Sequence, residues 1–173
     1  MPPILALICS CAVPNGGGTN LPTDQTAALE GYLKRLPDWR QLQVKDCDPQ
    51  DLRLAQSSCG VGFSPYYCEG DFNIDGRKDF AVILVKKAPP MNTGLAGSHQ
   101  WQYKLKVVVF NGIPGGGYEP VLTEDENAPL ACFLHMTSEP NNRLHYGILE
   151  TCSGFIINPT KRGYRVEFPP EPE

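Results

Sequence analysis

Apolar residues recur along this chain with two periods, and the change from one to the other organises it. From Leu21 to Leu36 they return every three or four residues, at Leu29, Tyr32, Leu33 and Leu36, until Pro37 stops the run. Thr23 can cap this stretch, and Asp24 suits a first helical turn. The pattern predicts an amphipathic helix. Asp48 followed by Pro49 marks the start of a second, short helix reaching Ala55. Ser57 to Tyr67, rich in Gly, Ser and Pro, reads as a loop.

Beyond that loop the pattern is that of strands. Phe80 to Val85 is apolar throughout, as expected of a central strand covered on both faces. Trp101 to Phe110 alternates, with Tyr103, Leu105, Val107 and Val109 on one side and Lys104 and Lys106 on the other. Asn111 to Gly117 turns the chain, so Tyr118 to Leu122 should return as a hairpin partner. Thr123 to Asn127 reads as an acidic turn, Leu130 to Met136 and Leu144 to Ile157 as two more strands, and Tyr164 to Phe168 as a last short one. Ala88 to His99 carries Pro89, Pro90 and two glycines and is expected to be a long loop. The expected fold class is α+β: an early helix packed on a mostly antiparallel sheet of about five to six strands. Residues 21–168 form the globular part, residues 1–20 an apolar segment with a glycine linker, and residues 169–173 a proline-rich tail.

Between the helical and strand regions lies the most specific stretch, Gly70-Asp71-Phe72-Asn73-Ile74-Asp75-Gly76-Arg77-Lys78-Asp79. Asp71, Asn73, Asp75 and Asp79 stand at positions 1, 3, 5 and 9 of an oxygen-rich loop, the carbonyl of Arg77 falls at position 7, and Gly76 supplies a sharp turn. Such a set suits a hard cation, since Ca²⁺ takes about 6–8 oxygen ligands. The glutamate that closes a helix-loop-helix calcium site is absent, because Val82 stands at position 12. The alternative is a self-capped Asx turn that binds nothing.

From Gly70 to Leu84 the sequence resembles the FG-GAP or VCBS type of Asp-rich repeat. There, G-D-[FL]-[ND]-x-D-G-x-x-D closes around Ca²⁺ and feeds a buried strand. A single copy is present, so the resemblance implies a calcium loop leading into the central strand and does not imply a propeller.

Ile4, Leu5, Ala6, Leu7 and Ile8 begin an apolar run that ends in small residues before Gly16-Gly17-Gly18. One reading is the tail of a signal peptide, with Cys11 as the lipidated residue of a lipobox, although no basic residue precedes the run. Another is the first strand of the domain. A third is an apolar strand on a flexible tether that completes the sheet of another copy, residues 4–13 pairing by β-augmentation. In this it resembles the donor strand of chaperone-usher pilins.

Seventeen glycines and 17 prolines in 173 residues favour turns over long helices. A net charge of −4 offers no footprint for nucleic acid or an anionic membrane, and no run reaches the length of a membrane span. Seven cysteines without a Cys-x-x-Cys pair suggest disulfides and an exported protein. Cys132 and Cys152 are the expected pair, with one further bridge among Cys47, Cys59 and Cys68. No nucleophile elbow or zinc-protease motif accompanies His99, His135 or His145, and sheet histidines are usually structural, so no catalytic set is assigned. The leading expectation is an exported, Ca²⁺-stabilised structural protein, extracellular or on the cell surface, that assembles with itself through residues 4–13. A monomeric periplasmic or lipid-anchored calcium-binding module is the alternative.

Overall fold

A computed structural model describes residues 21–60, 62–97, 100–137, 142–149, 153–161 and 163–168. The N-terminal residues Ile4, Leu5, Ala6, Leu7 and Ile8 lie outside these, as do His99, Cys152 and the proline-rich tail. Among the described residues are two α-helices, α1 (Thr23–Leu33) and α2 (Pro49–Cys59), and ten strands. Every strand pairing is antiparallel. The class is therefore α+β, richer in strands than the sequence suggests.

The first sheet is built on β3 (Asp79–Lys86), which is buried at every position except its last. On one side β3 pairs with β5 (Trp101–Gly112); on the other, β1 (Trp39–Gln41) and β2 (Tyr67–Gly70) follow one another along it. Beyond β5 lie the short β4 (Met91–Asn92) and the long β6 (Tyr118–Ala128). The second sheet is a four-stranded meander in the order β10 (Gly163–Glu167), β9 (Gly154–Thr160), β8 (Arg143–Ile148), β7 (Cys132–Thr137).

Alternation along β3 sorts its side chains between two cores. Ala81, Ile83 and Val85 join Leu105, Val107 and Val109 of β5 and face Cys132, Leu134, Leu144, Tyr146, Phe155 and Ile157 of the second sheet. The two sheets are thus stacked. Phe80, Val82 and Leu84 face the other way, where Leu29, Tyr32 and Leu33 of α1 cover them. Phe80 stacks on Phe110 at 4.5 Å, with Tyr118 edge-on at 4.9 Å. A smaller cluster joins Ala55 of α2 and Phe63 to Phe133 on the outer face of the second sheet.

Several sequence expectations change. Thr23 is the first residue of α1 and Pro22 holds the cap position, with no side-chain cap. The α2 helix does begin at Pro49, and Asp48 caps it through the Gln50 N–H, but it runs on to Cys59. The acidic segment 123–127 is strand, not turn, because it continues β6 in register with β5, Glu124 opposite Val107 and Glu126 opposite Leu105. The run from Leu144 to Ile157 is a hairpin, β8 and β9, in which Gly147 faces Gly154.

One of the cysteine expectations, that for Cys132, changes as well. Cys59 and Cys68 are disulfide-bonded, while Cys47 and Cys132 carry free, buried thiols. The expected Cys132–Cys152 bridge is not made, because the residue opposite Cys132 on β8 is Ile148 and Cys132 points into the core between the sheets. Burial pushes its thiol up to about 12, which makes it inert.

Candidate functional site

The Asp-rich loop joins β2 to β3 and stands at one end of both sheets. Asp79, at its end, is fully buried. Asp79 Oδ2 accepts from the Phe72 N–H at 2.8 Å and the Asn73 N–H at 3.3 Å, and Oδ1 accepts from the Gly112 N–H at 3.0 Å. One carboxylate therefore ties the start of the loop to the end of β5. Burial pushes its pKa up, and the N–H groups of Gly112, Phe72 and Asn73 pull in the opposite direction. Gly112 must approach closely, since a Cβ there would meet the Lys78 carbonyl at 2.5 Å.

Above this buried post the other loop oxygens converge. The Asp75 N–H lies 3.0 Å from both Asp71 Oδ1 and Asn73 Oδ1, and Asp71 Oδ2 accepts from the Gly76 N–H at 2.9 Å. Asp75 accepts from the Arg77 N–H and pairs with the Arg77 guanidinium at 2.8 Å. Desolvation raises the Asp75 pKa, but the Arg77 N–H, the Asn73 amide and the Arg77 charge together hold its carboxyl below the ordinary value. Making this turn puts Ile74 at φ +61° and Gly76 at +82°. A β-branched residue in the left-handed region is costly, and it persists only where its surroundings over-determine it.

The loop is braced by both sheets. Asn142, just before β8, donates to the Asp71 carbonyl, Tyr164 of β10 donates to Asn111 at 2.6 Å, and Gly70 packs so closely on Met136 that a Cβ would meet its Sδ at 2.4 Å. On the α1 side, Glu69 accepts from Gln25 and Lys78, each at 2.7 Å, and from Tyr67 at 3.2 Å. Sequence reasoning missed Glu69, Gln25 and Asn142 as loop supports; of these, Glu69 alone had a signal, its place two residues before Asp71.

The loop thus brings Asp71, Asn73 and Asp75 together, while Asp79 directs its oxygens to backbone N–H groups. Among the described residues no group of three or more His, Cys, Asp or Glu could hold a metal by itself. A cation here would depend on the Asn73 amide and the Arg77 carbonyl in addition to the carboxylates. The donor set is all oxygen and suits a hard cation.

Of the histidines, the structure brings two together. His135 and His145 face each other across β7 and β8, with rings 4.7 Å apart and 23° from parallel. Burial first, then the neighbouring His145, lowers the His135 pKa to about 4. No protein-family model, curated protein or solved structure matches the chain. No helix among the described residues is long and apolar enough to cross a membrane.

The fold accommodates His135 as the neutral imidazole, so its contribution to stability is complete above the ordinary value of 6.5 and is lost as pH falls toward about 4. In buffer free of oxyanions, denaturant unfolding should show a loss of about 2 kcal/mol between pH 7 and 5 from this residue. His135→Phe should remove most of that slope. An unchanged slope in the variant would show that His135 is not its source.

Proposed function

We propose that this protein is an exported structural protein, stabilised by Ca²⁺ at residues 71–79 and joined to other copies through its N-terminal apolar segment. The observation that carries the calcium reading is the shared Asp75 N–H, which draws Asp71 Oδ1 and Asn73 Oδ1 to one point in a strained turn. Asp71, Asn73, Asp75 and the Arg77 carbonyl would hold the ion, with Asp79 as the buried support. The ion would add positive charge to this acidic loop, where Arg77 already pairs with Asp75, and would fix the entry to β3. The oxidised Cys59 and Cys68 support an oxidising compartment, where calcium is plentiful.

The assembly reading rests on the sequence of residues 4–13, an apolar strand on a glycine tether. Such a strand would need an open sheet edge to pair with. The outer edge of β6 carries Glu119, Pro120, Glu124, Asp125 and Glu126, charges and a proline that discourage strand addition. The β7 edge already gives its Leu134 N–H to the Pro65 carbonyl. β10, which ends the second sheet, would offer one such edge.

A second reading, a monomeric periplasmic or lipid-anchored binding module, is favoured by the side chains around the 88–99 loop. Met91, Leu95 and Trp101 are 49%, 57% and 41% exposed, a surface that would suit an apolar ligand.

Ca²⁺ at about 1 mM should raise the melting temperature over EDTA by roughly 1–6 °C, for a dissociation constant of about 10⁻⁴–10⁻³ M. Asp71→Asn combined with Asp75→Asn should abolish that difference. Superimposable wild-type melts in the two buffers would refute the calcium reading.

Light scattering of the full chain should give a mass above the monomer, reduced to the monomer by Leu5→Asp with Leu7→Asp. A wild-type monomer at high concentration would favour the binding-module reading.

A further inference from the structure

The outer face of the second sheet, turned away from the shared core, carries a polar cluster that the calcium and assembly readings do not use. His135 and His145 stand directly opposite one another there. Arg143 lies two residues from His145 on β8 and so shares its face. Phe133 stacks against His135 at 5.5 Å and closes one side. On β9 the residue opposite His145 is Ile156, and opposite Ile156 on β10 is Glu167.

Two atoms in this cluster are buried without a hydrogen-bond partner, His135 Nδ1 and Arg143 Nε. His135 is 5% exposed. Folded proteins leave few such groups, and each calls for an explanation. The third among the described residues, Tyr146 Oη, lies on the opposite face of the sheet, in the core beside Cys132. Two orphaned atoms on neighbouring strands of one face point to something that joins them there.

Arg143 decides what that something is. Two facing imidazoles alone would suit a divalent transition metal. A guanidinium Nε–H only donates, however, and its charge is permanent. Whatever satisfies it must offer an acceptor, and a cation in its place would be repelled. The neutral His135 ring can present an Nδ1–H toward the same acceptor. Among the described residues, the other charges on this face, Arg165 and Glu167 of β10, pair with each other at 2.8 Å, and no ion pair there joins Arg143.

We propose that Arg143 Nε–H and His135 Nδ1–H, with His145 alongside, form a binding site for the oxyanion group of a small acid, a carboxylate or a phosphate. An oxyanion bridging two charge-assisted donors fits their diagonal placement on adjacent strands, where side chains of this length meet. The groups acting on the two rings explain how it would be sensed. Burial and His145 lower the pKa of His135, and burial and Arg143 lower that of His145, so both rings are neutral at pH 7. A bound anion favours the imidazolium, and by linkage its affinity rises as the pH falls.

The test is an NMR titration of the full-length protein, following the Arg143 Nε–H and the imidazoles of His135 and His145. Sodium phosphate and sodium acetate are the two probes, with sodium chloride at equal ionic strength as control. Saturable shifts of Arg143 and His135 with either probe support the proposal, and the effective probe identifies the group as phosphate or carboxylate. Binding should raise the His135 pKa by at least one unit, a tenfold gain in proton affinity. Arg143→Gln should weaken the effective probe at least tenfold, with Arg143→Lys intermediate. If Arg143→Gln fails to fold, the wild-type titration still decides. Shifts no larger than those in chloride would overturn the proposal and leave the two atoms to ordered water. Zinc moving both imidazoles while phosphate and acetate move neither would overturn it in favour of a metal.

Discussion

A buried carboxylate with backbone partners on two separate segments is the constraint on which the rest of this structure depends. Asp79 opens β3, the strand that both cores share, and its oxygens hold the loop before it and the end of β5 beside it. Burying a charge is costly unless hydrogen bonds replace its lost hydration. Three N–H groups do so here, and they do it only while residues 72–73 and Gly112 are in place. The carboxylate therefore converts its own burial into a requirement that loop, central strand and hairpin form together.

That requirement explains why the loop contacts both sheets. Tyr164 reaches Asn111 from β10, Asn142 reaches the Asp71 carbonyl from the start of β8, and Gly70 lets Met136 of β7 lie against the chain. The second sheet is closed against the first by its apolar inner face and located along it by these contacts. The left-handed Ile74 is the local cost of the turn. An ion held by Asp71, Asn73 and Asp75 would add to a framework that Asp79 already supports, which is the sense in which calcium would be a staple and not the fold's origin.

Much of this could be read from the sequence where local periodicity and long-range packing agree. The α1 helix, the fully apolar β3 and the alternating β5 are of this kind, and the limits of the loop follow from its Asp and Gly spacing. What was missed is short or set by distant partners. β1 and β2 span 3 and 4 residues and exist because β3 offers an edge. The acidic half of β6 has no apolar alternation, yet β5 imposes its register on it. The role of Asp79 was hidden for the same reason. At position 9 of the loop it reads as a metal ligand, whereas one of its partners, Gly112, is 33 residues away. Cys132 was paired in expectation because two strand-like runs looked like neighbours, whereas the residue opposite it on β8 is Ile148.

The Asp79 clasp is part of the cooperative core and not a surface turn. Native-state hydrogen exchange of the Phe72 and Gly112 amides tests it most directly, because an amide bonded to this carboxylate can exchange only when the clasp opens. Both amides should exchange with the free energy of global unfolding, alongside the amides of β3. Exchange of either amide at the rate of an exposed loop, while β3 stays protected, would contradict it.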